Sequence, residues 1–147
     1  MPFFIFWQKF VIIEYMEKEE LQKFISKDFV YAIVGATANK KKYGHKVLID
    51  LKNKGFKVVP VNPKYESIAG LTCYPDLISM DERPDVVVLI VGQDNAKKIV
   101  KECRDLNLNR LWFQPGSEFK DAVNMARSAG FKIMEGKCIT IETNNLE

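Results

Sequence analysis

Apolar positions along the chain fall into short continuous runs separated by stripes of helical spacing. Residues 29–34 form an apolar run rich in β-formers that ends at Gly35, and residues 56–61 form a second, stopped by Asn62-Pro63. The clearest run lies in residues 85–91, with six consecutive apolar residues from Val86 to Val91. Residues 110–113 make a fourth, while 71–74, 131–135 and 139–142 are further strand candidates. Between them, Leu21, Phe24 and Ile25 predict a short helix over residues 17–27. Val47, Leu48 and Leu51 predict another, closed by Gly55. Ala96, Ile99, Val100 and Cys103 mark a third, with Asp94 placed as its cap. Phe119, Ala122, Val123 and Ala126 mark a fourth, capped by Ser117 and closed by Gly130. Residues 77–80 suit a helical turn. Continuous apolar runs, rather than alternating ones, mean strands covered on both faces. Strands alternating with helices therefore predict a single α/β domain with a Rossmann-like, doubly wound parallel sheet.

The first fifteen residues, MPFFIFWQKFVIIEY, stand outside this pattern. They are strongly apolar and aromatic, yet lack the basic start and small-residue cleavage site of a signal peptide. Lys9 and Glu14 interrupt the run, which is too short to span a membrane. Residues 1–15 are read as an extension, with an ordinary soluble start at Met16. Three roles suit it: translation from an upstream start, a packing or dimerisation arm, or a membrane-surface anchor. The dimerisation role makes a homodimer an open expectation.

Composition narrows the function classes. With 147 residues and 47% hydrophobic content, one packed core is expected. A net charge of +3, from 22 basic and 19 acidic residues, does not call for a nucleic-acid partner. Three cysteines spaced far apart argue against a disulfide framework, and one histidine without a Cys-x-x-Cys pair leaves no zinc set. No metal is expected, and a reducing, cytoplasmic setting follows.

Open parallel sheets bind ligands beyond the carboxyl ends of their strands, where the winding reverses. The informative segments are thus residues 35–44, 61–64, 91–94 and 114–116. In the first, Gly35 and Ala36 let backbone approach a ligand, Thr37 and Asn39 offer polar contacts, and the following helix offers unpaired N–H groups to phosphate. The loop is not G-x-G-x-x-G, and Lys40-Lys41-Lys42 on its rim suits either a solvated run or phosphate attraction. The second strand discriminates better. An NAD-binding unit usually ends it with a carboxylate for the ribose hydroxyls. Here Val61-Asn62-Pro63-Lys64 occupies that place, so a cation meets the ribose end. Such a site suits a nucleotide with an extra ribose phosphate, either NADP or coenzyme A. No catalytic set emerges. His45 has no nucleophile or carboxylate near it and reads as a surface or loosely packed residue. Cys103 reads as core, Cys138 as a small buried hydrophobe near the cleft, and Trp112 as packing.

Ordered motifs add to this reading: Ala32-Ile33-Val34-Gly35-Ala36-Thr37, Tyr43-Gly44, Val59-Pro60-Val61-Asn62-Pro63-Lys64, Pro84-Asp85-Val86-Val87, Trp112-Phe113-Gln114-Pro115-Gly116 and Lys137-Cys138-Ile139. In this order they resemble the small coenzyme A-binding protein family, which is similar to the N-terminal domain of the succinyl-CoA synthetase alpha subunit. The resemblance runs from Val30 to Glu142 and makes residues 16–147 the coenzyme A-binding domain. It implies coenzyme A or an acyl-CoA lying across the carboxyl edge. Gly35, Ala36, Thr37, Ala38, Asn39, Lys40, Lys42, Tyr43 and Gly44 would surround the phosphates. Val61, Asn62, Pro63 and Lys64 would meet the adenosine, with Lys64 on its 3′-phosphate. Val91, Gly92 and Gln93 would line the far wall, and Gln114, Pro115 and Gly116 the pantetheine arm. Family members often carry proline, sometimes with a basic residue, where this chain has Val91-Gly92-Gln93-Asp94, so a phosphate contact is expected to be lost there. The synthetase's catalytic histidine belongs to a further domain, and His45 does not correspond to it. A non-catalytic binding module is the expectation. The alternatives are a subunit of an NADP- or acyl-CoA-dependent enzyme, and a nucleic-acid or protein interaction module.

Overall fold

A computed structural model describes residues 2–144, with side chains from Phe4 onward. Met1, from the apolar extension, and residues 145–147, from the end of the domain, lie outside the described residues. In chain order the elements are α1 (Pro2–Gln22), β1 (Val30–Val34), α2 (Tyr43–Asn53), β2 (Lys57–Val61), β3 (Ser67–Ile68), β4 (Leu71–Thr72), β5 (Val86–Leu89), α3 (Gln93–Asp105), β6 (Arg110–Phe113), α4 (Lys120–Ser128), β7 (Lys132–Met134) and α5 (Ile139–Glu142). Five strands form one sheet in the order β2-β1-β5-β6-β7, every pair parallel. The winding reverses between β1 and β5, as the doubly wound expectation requires. β3 and β4 form a separate antiparallel pair.

All of β1 and all of β5 is buried, which is why their sequences read as unbroken apolar runs. One face of the sheet packs Ile33, Val86, Val88 and Trp112 against Val47, Leu48 and Leu51 of α2, with Phe24 and Ile139. The other packs Ala32, Val87, Leu89 and Leu111 against Ala96, Val100 and Cys103 of α3 and Ala122, Val123 and Ala126 of α4. Pro60 sits inside β2 because β2 is an edge strand, where a missing N–H costs little. Tyr74 covers that edge: its N–H donates to the Pro60 carbonyl at 3.1 Å, and its carbonyl accepts the Asn62 N–H at 2.9 Å. Tyr31 is fully buried, donates its hydroxyl to the Phe24 carbonyl at 2.7 Å, and has its phenol pushed up to about 12 by that burial.

Four local expectations are corrected. The predicted helix over residues 17–27 and the apolar extension are one helix, α1, which ends at Gln22, while Phe24 turns inward into the core. Large apolar residues of α1 remain on the surface, with Phe4, Phe6, Trp7 and Tyr15 between 60% and 68% exposed. No helix among the described residues is long and apolar enough to cross a membrane. Residues 139–142 form the helix α5 instead of a strand. Ile139 is buried against the α2 face and Ile141 is exposed, an in–out pattern that four residues satisfy equally well as strand or helix. The Lys54 ammonium settles the choice by binding the Thr140 carbonyl at 2.7 Å and the Thr143 hydroxyl at 3.0 Å. Asp94 does not cap α3: Gly92 holds that position, and Asp94 lies within the first turn, where its charge suits the helix dipole. Ser117 does not cap α4, which starts after Phe119. Its hydroxyl accepts the Val91 N–H at 3.0 Å instead, tying the loop after β6 to the end of β5.

Candidate functional site

A cleft of about 730 Å³ opens at the carboxyl edge of the sheet, at the reversal between β1 and β5. Its floor is the β1–α2 connection. Gly35 has a φ of +99°, and a Cβ there would lie 1.9 Å from the Ile90 carbonyl oxygen. A Cβ on Gly44 would lie 2.3 Å from the Gly35 carbonyl oxygen. Both glycines are thus demanded by contacts inside the protein, which seat the start of α2 directly on the ends of β1 and β5. Gly35 also lines the cleft, so this packing role stands beside the expectation that its backbone meets a ligand.

The loop between them is held by short-range hydrogen bonds. The Thr37 hydroxyl accepts the Asn39 N–H at 3.2 Å and pairs with the Tyr65 hydroxyl at 3.0 Å, and Asn39 Oδ1 accepts the Lys41 N–H at 3.0 Å. His45 is half-buried, and its Nδ1 lies 2.8 Å from the Thr37 carbonyl oxygen. The expectation of a loosely packed histidine is corrected: it braces the loop from α2. Asn62 links the loops that follow β1 and β2, donating from Nδ2 to the Ala36 carbonyl at 2.8 Å and accepting the Lys64 N–H on Oδ1 at 3.0 Å.

Ten of the sequence-selected residues line the cleft: Gly35, Thr37, Lys42, Tyr43, Gly44, Val61, Asn62, Pro63, Lys64 and Val91. The others lie around it. Ala36 is fully buried beneath the loop, and Ala38, Asn39 and Lys40 are exposed on its outer side. Gly92 and Gln93 begin α3, with Pro115 and Gly116 in the turn after β6. Gln114 is fully buried and reaches the cleft wall through Tyr43, whose hydroxyl donates to Gln114 Oε1 at 3.1 Å.

Tyr65, Pro75, Asp76, Asn95, Lys98 and Glu102 also line the cleft, although none of them is among the site residues selected from the sequence. Asn95, Lys98 and Glu102 recur at i, i+3 and i+7 beside the core stripe of α3. That spacing was available as a signal, but a polar helical stripe ordinarily faces solvent. Lys98 puts a cation on the wall where the Val91-Gly92-Gln93-Asp94 segment has none. The two carboxylates of the cleft already have partners. Glu102 Oε1 accepts the N–H groups of Leu77 and Ile78 at 2.6 and 3.2 Å, and Asp76 Oδ1 accepts the Ser79 N–H at 2.9 Å. Lys42, Lys64 and Lys98 form no ion pair among the described residues. The cleft therefore presents three ammonium groups without an ion-pair partner among the described residues, together with the N-terminus of α2, a lining that can attract an anion.

A second cleft, about 440 Å³, lies at the opposite edge of the sheet and is lined by Arg83, Arg104 and Arg110. Arg83 is spent on the Leu106 and Asn107 carbonyls that end α3, and Arg110 on the Lys23 carbonyl and the Phe29 ring.

Comparison with known proteins gives a consistent picture. A family model described as a CoA binding domain matches residues 30–144. An ADP-forming acetate–CoA ligase from Methanocaldococcus jannaschii is 33% identical over 81 residues, which make up 55% of this chain and 12% of the ligase. A conserved hypothetical protein from Pyrococcus furiosus superposes with a TM-score of 0.74 at 38% identity, over 78% of this chain and 98% of that one. Acetyl-coenzyme A synthetase 1 from Ca. Korarchaeum cryptofilum, in complex with phosphate and ADP, superposes with a TM-score of 0.66 at 26% identity, over 74% of this chain and 25% of the synthetase. The chain thus spans only a small part of the ligase and synthetase, but nearly the whole of the Pyrococcus protein.

Proposed function

This chain belongs to the CoA-binding domain family, and from that premise we propose that it binds coenzyme A or an acyl-CoA in the carboxyl-edge cleft without catalysing a reaction of its own. The observation that carries the reading is the end of β2. Asn62, Pro63 and Lys64 line the cleft there, and the exposed Lys64 ammonium stands where an NAD site would hold a carboxylate. Lys64 answers the 3′-phosphate of coenzyme A. Lys42, the loop of residues 35–44 and the N-terminus of α2 take the pyrophosphate. Lys98 adds charge from the opposite wall, and the pantetheine arm runs toward Tyr43 and the loop after β6. A non-catalytic role is supported by the state of the polar groups. His45 is engaged with the Thr37 carbonyl, and the cleft carboxylates hold backbone N–H groups. None is poised as a base beside a nucleophile.

A thermal-shift panel tests this reading. Reduced coenzyme A at about 100 times its dissociation constant stabilises by about 2.7 kcal/mol, which moves the midpoint of a domain this size by about 8 °C. Dephospho-coenzyme A is expected to give a smaller shift, and NAD none. A shift with NADP alone would hand the site to a different nucleotide.

A further inference from the structure

We propose that Cys138 undergoes thiol–disulfide exchange with the disulfide form of coenzyme A, leaving the cleft occupied by coenzyme A joined to the protein through a mixed disulfide. The inference deepens the binding role proposed above and rests on it.

The three thiols differ sharply. Cys73 and Cys103 are buried, and burial pushes both thiols up, away from the reactive thiolate. Cys138 is half-buried and lies behind Tyr43, which itself lines the cleft. Its Sγ lies 2.6 Å from the Tyr43 hydroxyl and 3.0 Å from the Thr140 hydroxyl. Desolvation opposes ionisation of Cys138, but hydrogen bonds from Thr140 and Tyr43 outweigh it and hold the thiol below its ordinary range. Tyr43 is itself part of the cleft lining, so the thiol is one side chain away from the space a ligand would fill.

Gln114 provides the independent observation. It is fully buried, its Oε1 accepts both the Tyr43 hydroxyl and the Ile139 N–H at 3.1 Å, and its Nε2 has no partner among the described residues. An unpaired buried donor is costly, and here it belongs to the same cluster as the thiol. The Tyr43 hydroxyl has one hydrogen to share between Gln114 Oε1 and Cys138 Sγ. When Cys138 ionises, that hydrogen can turn to the sulfur, while the Ile139 N–H keeps Gln114 in place. The cluster is thus built to tolerate a charged sulfur.

The exchange balances without another reactant. The Cys138 thiolate attacks one sulfur of coenzyme A disulfide. The old S–S bond breaks as the new one forms, and the second coenzyme A leaves as a thiolate that takes up the proton Cys138 released.

The full-length chain would be incubated at neutral pH with coenzyme A disulfide and followed by intact mass and peptide mapping. One coenzyme A is expected on Cys138, released by a reducing agent and absent from Cys138→Ser. The rate should exceed that with hydroxyethyl disulfide by about tenfold or more, since binding in the cleft would raise the local concentration of the reacting sulfur beside Tyr43 and Cys138. Excess desulfo-coenzyme A, which lacks the sulfur, should suppress it. The proposal is overturned if reduced coenzyme A shifts the midpoint yet Cys138 stays unmodified. It is equally overturned if hydroxyethyl disulfide reacts as fast and desulfo-coenzyme A does not protect. Absence of any shift with reduced coenzyme A overturns the binding role and this inference together.

Discussion

Gly35→Ala is expected to destabilise the fold by about 3 kcal/mol or more, since a methyl group there is both strained and blocked. The residue's φ of +99° is outside the range that L side chains favour, and the Cβ would lie 1.9 Å from the Ile90 oxygen and 2.8 Å from the Ile90 carbon. Both atoms are backbone, so relief requires moving the end of β1 away from the end of β5 at the point where the cleft opens. Gly116 provides the comparison: its φ is +91°, but nothing lies within 4 Å of its Cβ position. Gly116→Ala should therefore cost only the conformational strain, about 1–2 kcal/mol. Denaturant unfolding of the two variants separates clash from strain, and equal losses would remove the close-approach account of the cleft floor.

Trp112→Ala should cost about 3–5 kcal/mol, the range for removing a large buried aromatic side chain. The indole is fully buried and meets Phe24 edge-on, with ring centroids 5.9 Å apart and planes at 76°. It also donates from Nε1 to the Lys137 carbonyl at 2.9 Å, which fixes the chain just before Cys138. Trp112→Phe keeps most of the apolar volume and loses that hydrogen bond, so a loss of about 1–2 kcal/mol is expected. Equilibrium unfolding measures both. An alanine variant no less stable than the phenylalanine variant would show that packing around β6 is not what holds this layer.

The sheet could be read from the sequence because its strands are covered on both faces. Burial of β1 and β5 on two sides forces the unbroken runs at residues 30–34 and 86–89, and no tertiary information is needed to see them. The cleft's position followed from topology, and the end of β2 lines it as the sequence led one to expect. What escaped depends on contacts between segments distant in sequence. Ser117 looked like a helix cap, but its hydroxyl holds Val91, 26 residues away. Residues 139–142 looked like a strand until Lys54, 86 residues away from Thr140, supplied a partner for its carbonyl. Tyr65 gave no periodic signal, and its role comes from reaching Thr37 across the cleft. The polar stripe of α3 was ambiguous for a simpler reason. Asn95, Lys98 and Glu102 have the same spacing whether they face water or a ligand.

The coenzyme A reading depends most on one ammonium group meeting one phosphate. Calorimetric affinities for coenzyme A and dephospho-coenzyme A, on the unaltered protein and on Lys64→Ala, test it directly. The unaltered protein should prefer coenzyme A by about tenfold, in keeping with a partly solvated charge-assisted hydrogen bond. In Lys64→Ala that preference should vanish while dephospho-coenzyme A binds as before. A preference that survives the substitution, or dephospho-coenzyme A binding as tightly as coenzyme A to the unaltered protein, would contradict the account.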